Sequence, residues 1–341
     1  MPLLEGRLSP ATCDFHGVLS PAEIDFLLAD DRLKFLRATG TVDLATWRQV
    51  NNRLFSVRPR LQLFVHAEKG ESCDLDFLAH MGNVRRLNLG PFTQASGVEN
   101  ICCLKDLEHL SIEIKNLDSF EFLRNLQSEE IEFLQLGNTS SKKPSLQVLE
   151  RFPALRILNL FGHKKHIDVI GSLLELRCLS LQSIALPSLA FLRRLPKLEE
   201  LHLSLGGTVD LTDLPRLKAL KFLWLDRTRK ISDLAVISEV VHLQTLALEG
   251  LPKVTQLPDL ARLSALRDVS LSTMNGLRDL DRLVSAPALE ALSHWNARCT
   301  SPIDYMPLLE SGRLKKATVH FTSDRKNRRF REVCAAARIA A

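Results

Sequence analysis

The chain has 341 residues, with 45 Lys and Arg against 40 Asp and Glu and a formal charge of +5. That length suits two ordinary domains or one domain extended by repetition, and so mild a basic excess does not by itself announce a nucleic-acid partner. Seven cysteines, an odd number without CxxC spacing, exclude a fully disulfide-bonded secreted framework and point to a reducing compartment. The opening MPLLEGRLSPATCDF has no basic n-region followed by an apolar h-region, and no apolar run reaches the roughly 18 residues of a membrane helix, so a cytoplasmic protein without membrane insertion is expected.

Residues 1–60 read as an N-terminal cap. PAEIDFLLADDRLKFL and VDLATWRQVNNRLF suit helical or degenerate-repeat structure, with LKFLRA (33–38) a candidate early unit and Trp47 expected in the cap core. From residue 61 to 319 one spacing governs the chain. LQLFVH (61–66) is followed by VRRLNL (84–89), LEHLSI (107–112), IEFLQL (131–136), LRILNL (155–160), LRCLSL (176–181), LEELHL (198–203), LKFLWL (220–225), LQTLAL (243–248), LRDVSL (266–271), LEALSH (289–294) and LKKATV (314–319). From VRRLNL to LRDVSL each unit carries apolar residues at its positions 1, 4 and 6, and the end of the motif alternates as a strand does.

After each strand the period changes to three. Leu186, Leu189, Leu192, Leu195 and Leu198 are one such series, and Val254, Leu257, Leu260, Leu263 and Leu266 another. Three residues per turn and the nearby Pro187, Pro196, Pro215, Pro258 and Pro287 favour short 3₁₀ pieces over long helices. A unit of this size cannot bury its own apolar side; stacked units place positions 1, 4 and 6 in one core, with the strands forming a parallel sheet.

The LxxLxL units and the apolar triads behind them resemble leucine-rich repeats, in particular the 22-residue class of bacterial internalins and a eukaryotic phosphatase regulator. The resemblance implies an α/β fold: a right-handed horseshoe solenoid with a parallel sheet on its concave face, short convex 3₁₀ or turn segments, and a protein-binding role. One departure is plain. The customary asparagine at the ninth position of a unit is replaced by residues such as Thr139, His163, Ile184, Gly206, Thr228, Leu251 and Met274, so the loops behind the strands are expected to satisfy their polar groups by backbone, Ser, Thr or water.

Two units are longer than the rest. GNTSSKKPSLQ (137–147) reads as a polar surface loop, and GPFTQASGVEN (90–100) offers Pro91 and Phe92 to a rim. Residues 320–341 read as a basic capping helix that closes the last repeat through Phe330, Val333 and Ala337.

No catalytic motif emerges. HKKH (163–166) lacks further metal ligands at a useful spacing, the adjacent Cys102 and Cys103 have no neighbouring base and place at least one thiol in the apolar core, and phosphate-binding glycine motifs and GxSxG are absent. Neither an enzyme, a cofactor nor a metal site is expected.

With positions 1, 4 and 6 in the core, positions 3, 5 and 7 line the outward face of the sheet. One apolar cluster then holds Phe133, Ile157 and Phe161. Another holds Phe222 and Trp224, with Glu200, His202, Asp226, Glu249 and Asp268 nearby. Aromatics ringed by charge suit a protein interface, and the acidic surround suits a partner with a basic patch. The expected function is a noncatalytic, monomeric protein-binding scaffold or regulator. The alternative is a nucleic-acid or acidic-surface adaptor using Lys315, Lys316, Arg325, Lys326, Arg328, Arg329 and Arg331.

Overall fold

A computed structural model describes residues 11–67, 72–141, 144–208, 210–337 and 339–340. The contacts divide the chain into two compact units, one running to Leu173 and the other starting at Leu174. Each is a leucine-rich-repeat solenoid.

The described residues of the first unit form nine strands: β1 (Thr12–Gly17), β2 (Phe35–Val42), β3 (Gln62–His66), β4 (Ser72–Asp74), β5 (Arg86–Phe92), β6 (Gln94–Ser96), β7 (His109–Ile114), β8 (Phe133–Leu136) and β9 (Ile157–Phe161). β1, β2, β3, β5, β7, β8 and β9 pair in parallel in that order, and β4 pairs with β6 in a separate two-stranded sheet. The segment before residue 61 therefore contributes two strands to the main sheet besides its helices, α1 (Pro21–Ala29) and α2 (Leu44–Gln49). Ser20 and Glu23 close a reciprocal capping box on α1, which satisfies backbone donors that the first turn leaves orphaned. Trp47 is buried, edge-on to Phe15 at 5.7 Å and stacked on Phe77 at 4.1 Å.

Two expectations for this unit are corrected. Phe92 does not line a rim: β5 runs on through residue 92 past an irregularity in register, which turns that ring into the core at 2% exposure. Neither Cys102 nor Cys103 is in the core, because the 3₁₀ segment Val98–Cys103 turns Ile101, with Leu104 just after it, inward instead.

The second unit holds β10 (Cys178–Gln182), β11 (Glu200–Ser204), β12 (Phe222–Asp226), β13 (Thr245–Glu249), β14 (Asp268–Ser272), β15 (Ala291–Trp295) and β16 (Lys316–His320), paired in parallel in chain order with matching repeat positions opposite one another. Short returns join them, among them the 3₁₀ segments Ala190–Arg194, Leu214–Arg216 and Ala235–Glu239 and the one-turn helix α3 (Asp281–Ser285). The three-residue period is the period of these returns, and each of Leu186, Leu189, Leu192, Leu195 and Leu198 is buried.

The missing asparagines have a backbone replacement. At the eighth position of successive units Ser183, Leu205, Arg227, Gly250, Thr273 and Asn296 all take positive φ. The N–H groups of Ser183, Leu205, Arg227, Gly250 and Thr273 donate to the carbonyls of Ser204, Asp226, Glu249, Ser272 and Trp295, each the last residue of the next strand. The left-handed residue turns the chain into the core immediately afterwards, so Ile184, Thr228, Leu251, Met274 and Ala297 are buried at the ninth position without an amide to serve the loop. Gly206 stands there because a Cβ would run into the Ile184 carbonyl.

A second ladder runs along position 2, where charges of opposite sign meet across neighbouring strands. Arg177, Glu199 and Lys221 form one run at 2.7 and 2.9 Å, and Arg267, Glu290 and Lys315 another at 2.7 and 2.8 Å. Arg85 with Glu108, and Glu132 with Arg156, repeat the arrangement in the first unit.

The C-terminal end is closed by α4 (Met306–Glu310) and α5 (Asp324–Ala336). Phe330 packs edge-on against Tyr305 and Phe321. The remaining closure differs from expectation: the helical turn buries Cys334, leaves Val333 half-buried and puts Ala337 in solvent. His294 occupies the sixth position of its unit, otherwise an apolar core position, and its Nδ1 meets the Tyr305 hydroxyl at 2.7 Å, which in turn meets Thr300 Oγ1 at 2.9 Å.

Candidate functional site

Alternation along β12 positions the central residues. Leu223 and Leu225 are completely buried in the core, and the same pleat turns Phe222 and Trp224 to the outer face, where both remain half-buried. Their nearest companions come from β11: Glu200 lies opposite Phe222, and His202 opposite Trp224. The imidazole sits 5.0 Å from the Phe222 ring and 5.5 Å, edge-on, from Trp224. On the other side Cys178 of β10 lies opposite Glu200.

The electrostatics follow from this packing. Burial lowers the His202 pKa and Glu200 only partly opposes it, so the ring is neutral at neutral pH. Burial first, and then Glu200, push the Cys178 thiol up to about 12. His202 Nε2 is buried with no hydrogen-bond partner; the nearest carboxylate oxygen, on Glu200, is 3.8 Å away, too far for a hydrogen bond. Cys178, Glu200 and His202 together place a thiol sulfur, a carboxylate oxygen and an imidazole nitrogen within 4.8 Å of one another.

Of the acidic residues expected around the aromatics, Glu200 and Asp268 are exposed and Glu249 is half-buried. Asp226 is corrected. It closes its strand at 2% exposure, and its two carboxylate oxygens accept from Arg227 Nε and Nη2 at 2.8 and 3.0 Å. The left-handed turn at Arg227 folds the guanidinium over the carboxylate and removes it from the acidic surface.

The other cluster belongs to the first unit. Ile157 is 37% exposed, while Phe161 and Phe133 are half-buried. Phe133 is stacked on the His109 ring at 3.9 Å. His109 Nε2 lies 2.9 Å from both Asn88 Oδ1 and Gln62 Nε2, and burial, reinforced by Arg86, holds its pKa down at about 4. Much of the Phe133 face is thus used internally.

The basic residues split in two. Lys315 pairs with Glu290, Arg329 with Glu332 at 3.1 Å, and Lys326 Nζ donates to the Thr300 carbonyl beneath the Phe321 ring. Lys316, Arg325, Arg328 and Arg331 are exposed and make no ion pair among the described residues. Two outward residues were not singled out as site residues by sequence. Trp295, 46% exposed and stacked on His320 at 4.0 Å, carried the signal of an aromatic at position 7; Cys178 stood at position 3 one unit before Glu200.

The thiols of Cys73 and Cys334 are raised to about 11 by burial, and that of Cys102 is raised as well, the opposite of an activated nucleophile. No helix among the described residues is long and apolar enough to cross a membrane.

No family model matches the chain, and no curated protein matches it either. Among solved structures it is similar to an internalin, InlF, of Listeria monocytogenes (16% identity, 94% of this chain and 84% of that one, TM-score 0.56) and to a leucine-rich-repeat protein of Leptospira interrogans (19%, 93% and 91%, TM-score 0.53). It also matches the functional domain of InlJ from Listeria monocytogenes (15% identity, TM-score 0.52), covering 93% of this chain but 61% of that one. At these identities the likeness is one of fold alone, that of a leucine-rich-repeat solenoid.

Proposed function

We propose that this non-enzymatic solenoid of the 22-residue repeat class is a scaffold or regulator, recognising a protein through the outward sheet face of its second unit, with Phe222 and Trp224 at the centre. The observation that carries the reading is that two large aromatics stand side by side on the outer face of β12, half-accessible, beside a third ring, His202. Aromatic anchors of this kind supply much of an interface's affinity. The accessible carboxylates of Glu200, Glu249 and Asp268 add negative charge around them, which favours a partner presenting Lys or Arg and speeds its approach. The protein works as a monomer in a reducing, cytoplasmic setting, in keeping with seven cysteines of which none forms a disulfide.

Affinity purification from the native cell with the intact chain and with Phe222→Ala/Trp224→Ala is the test. Loss of the principal protein partner, with an unchanged circular dichroism spectrum, is expected; undiminished recovery would reject this surface. A second reading, an adaptor for nucleic acid or another acidic surface, rests on the exposed Lys316, Arg325, Arg328 and Arg331, which make no ion pair among the described residues. It predicts a salt-sensitive, nuclease-sensitive association that disappears when residues 325–331 are neutralised and survives the aromatic substitutions.

A further inference from the structure

We propose that Cys178, Glu200 and His202 form a three-ligand site for a thiophilic divalent cation of the zinc class, with a fourth coordination position open to the outer face of the sheet. The topology makes the site. Parallel pairing sets position 3 of β10 against position 3 of β11, and the strand period returns His202 to the same face two residues after Glu200. Among the described residues this is the one group of three or more His, Cys, Asp or Glu side chains gathered closely enough to hold a metal ion.

Thiolate, imidazole and carboxylate form a zinc set, with metal–ligand bonds of about 2.0–2.3 Å. A tetrahedron with such bonds has edges of roughly 3.3–3.8 Å. The ligand atoms already lie within 4.8 Å of one another, and the Glu200 side chain, 52% exposed, is free to swing inward. Closing the set therefore requires side-chain rotation and leaves the strands in place.

His202 Nε2 is left buried and unpartnered beside Cys178 and Glu200, a state that costs free energy. A cation satisfies all three atoms at once. Phe222 and Trp224, which hold the imidazole between them, offer no ligand atom, so the fourth position goes to water in the isolated protein. The imidazole arrives neutral, and the thiol loses its proton to solvent as the metal–sulfur bond forms. The inference stands independently of the partner-binding reading.

Full-length protein, untagged, reduced and stripped with chelator, is titrated with Co²⁺ and then Zn²⁺. One equivalent of Co²⁺ should bring up a thiolate-to-cobalt charge-transfer band and the intense visible absorption of a four-coordinate ion, both erased by one equivalent of Zn²⁺. Cys178→Ser should abolish the charge-transfer band, whereas Cys299→Ser, at another partly buried thiol in the same unit, should leave it intact. Glu200→Gln and His202→Gln should each weaken Zn²⁺ binding by an order of magnitude or more. Absence of a stoichiometric band, or its survival in Cys178→Ser, would overturn the site. Should Cys178→Ser fail to fold, unchanged affinity in Glu200→Gln would overturn it equally.

Discussion

The residue at the eighth position of each unit from β10 to β15 takes on, by backbone conformation, a task that side-chain amides perform in the more usual repeat. The left-handed turn costs an L-residue with a Cβ about 1–2 kcal/mol, least for Asn and nothing for Gly. Gly250 and Asn296 meet the requirement cheaply; Leu205, with φ of 55° and 41% exposure, does not. Leu205→Asn should therefore raise stability by about 0.5–1 kcal/mol in chemical denaturation, because it relieves that strain without removing buried contacts. No gain would mean that the Leu205 side chain packs more productively than its exposure indicates. The same turn decides the fate of Asp226. From spacing alone it belongs with the acidic residues around Trp224, but spacing says nothing of a neighbouring guanidinium folded back by a positive φ.

At the level of the element, β12 was legible in LKFLWL because the pleat has a period of two, and Leu220, Leu223 and Leu225 admit one register only. In β15, LEALSH ends in a histidine where every other unit from VRRLNL onward ends in an apolar residue. Its explanation lies in the cap: Tyr305, eleven residues on, supplies the hydroxyl that satisfies His294. Burial lowers the His294 pKa from an ordinary 6.5 to about 4. The unfolded chain consequently takes up a proton before the folded one does. Stability from this group is fully present above pH 6.5, falls by about 1.4 kcal/mol per pH unit below it, and levels off near pH 4, roughly 3 kcal/mol in all. Denaturation midpoints measured across this window should fall less steeply in a His294→Leu/Tyr305→Phe variant than in the parent. Parallel curves would show that His294 is not protected from protonation. Tyr305→Phe alone should cost about 1–3 kcal/mol at neutral pH, since it strands buried polar atoms of both His294 and Thr300.

At the scale of the whole molecule, repetition distributes stability among neighbours: each strand from β11 to β15 pairs with the strands immediately before and after it in sequence. Leu223→Ala, at a site with no solvent exposure, should cost about 2–5 kcal/mol. Amide hydrogen exchange should register that loss most strongly in β11, β12 and β13 and least in β16. Uniform deprotection from β10 to β16 would instead mean that the unit opens as a single body. Repeat length, strand register from VRRLNL onward, the 3₁₀ returns and the outward placement of Phe222 and Trp224 all follow from the sequence by itself, because they depend on local periodicity and on the need to bury leucines that no single unit can cover. In LQLFVH the register is corrected by one residue, since Leu63 and Val65, and not Phe64 and His66, pair with Leu87 and Leu89 and are buried. Other features were decided only in three dimensions. Lys315 is engaged by Glu290, Phe92 is turned inward by an irregular strand, and Phe133 is spent on His109. Cys178 meets Glu200 and His202 across residues far apart in the chain. Each of these depends on which side chains face one another across adjacent units, and such a pairing energy belongs to the assembled sheet, where periodicity assigns a residue its face but leaves its partner to the fold.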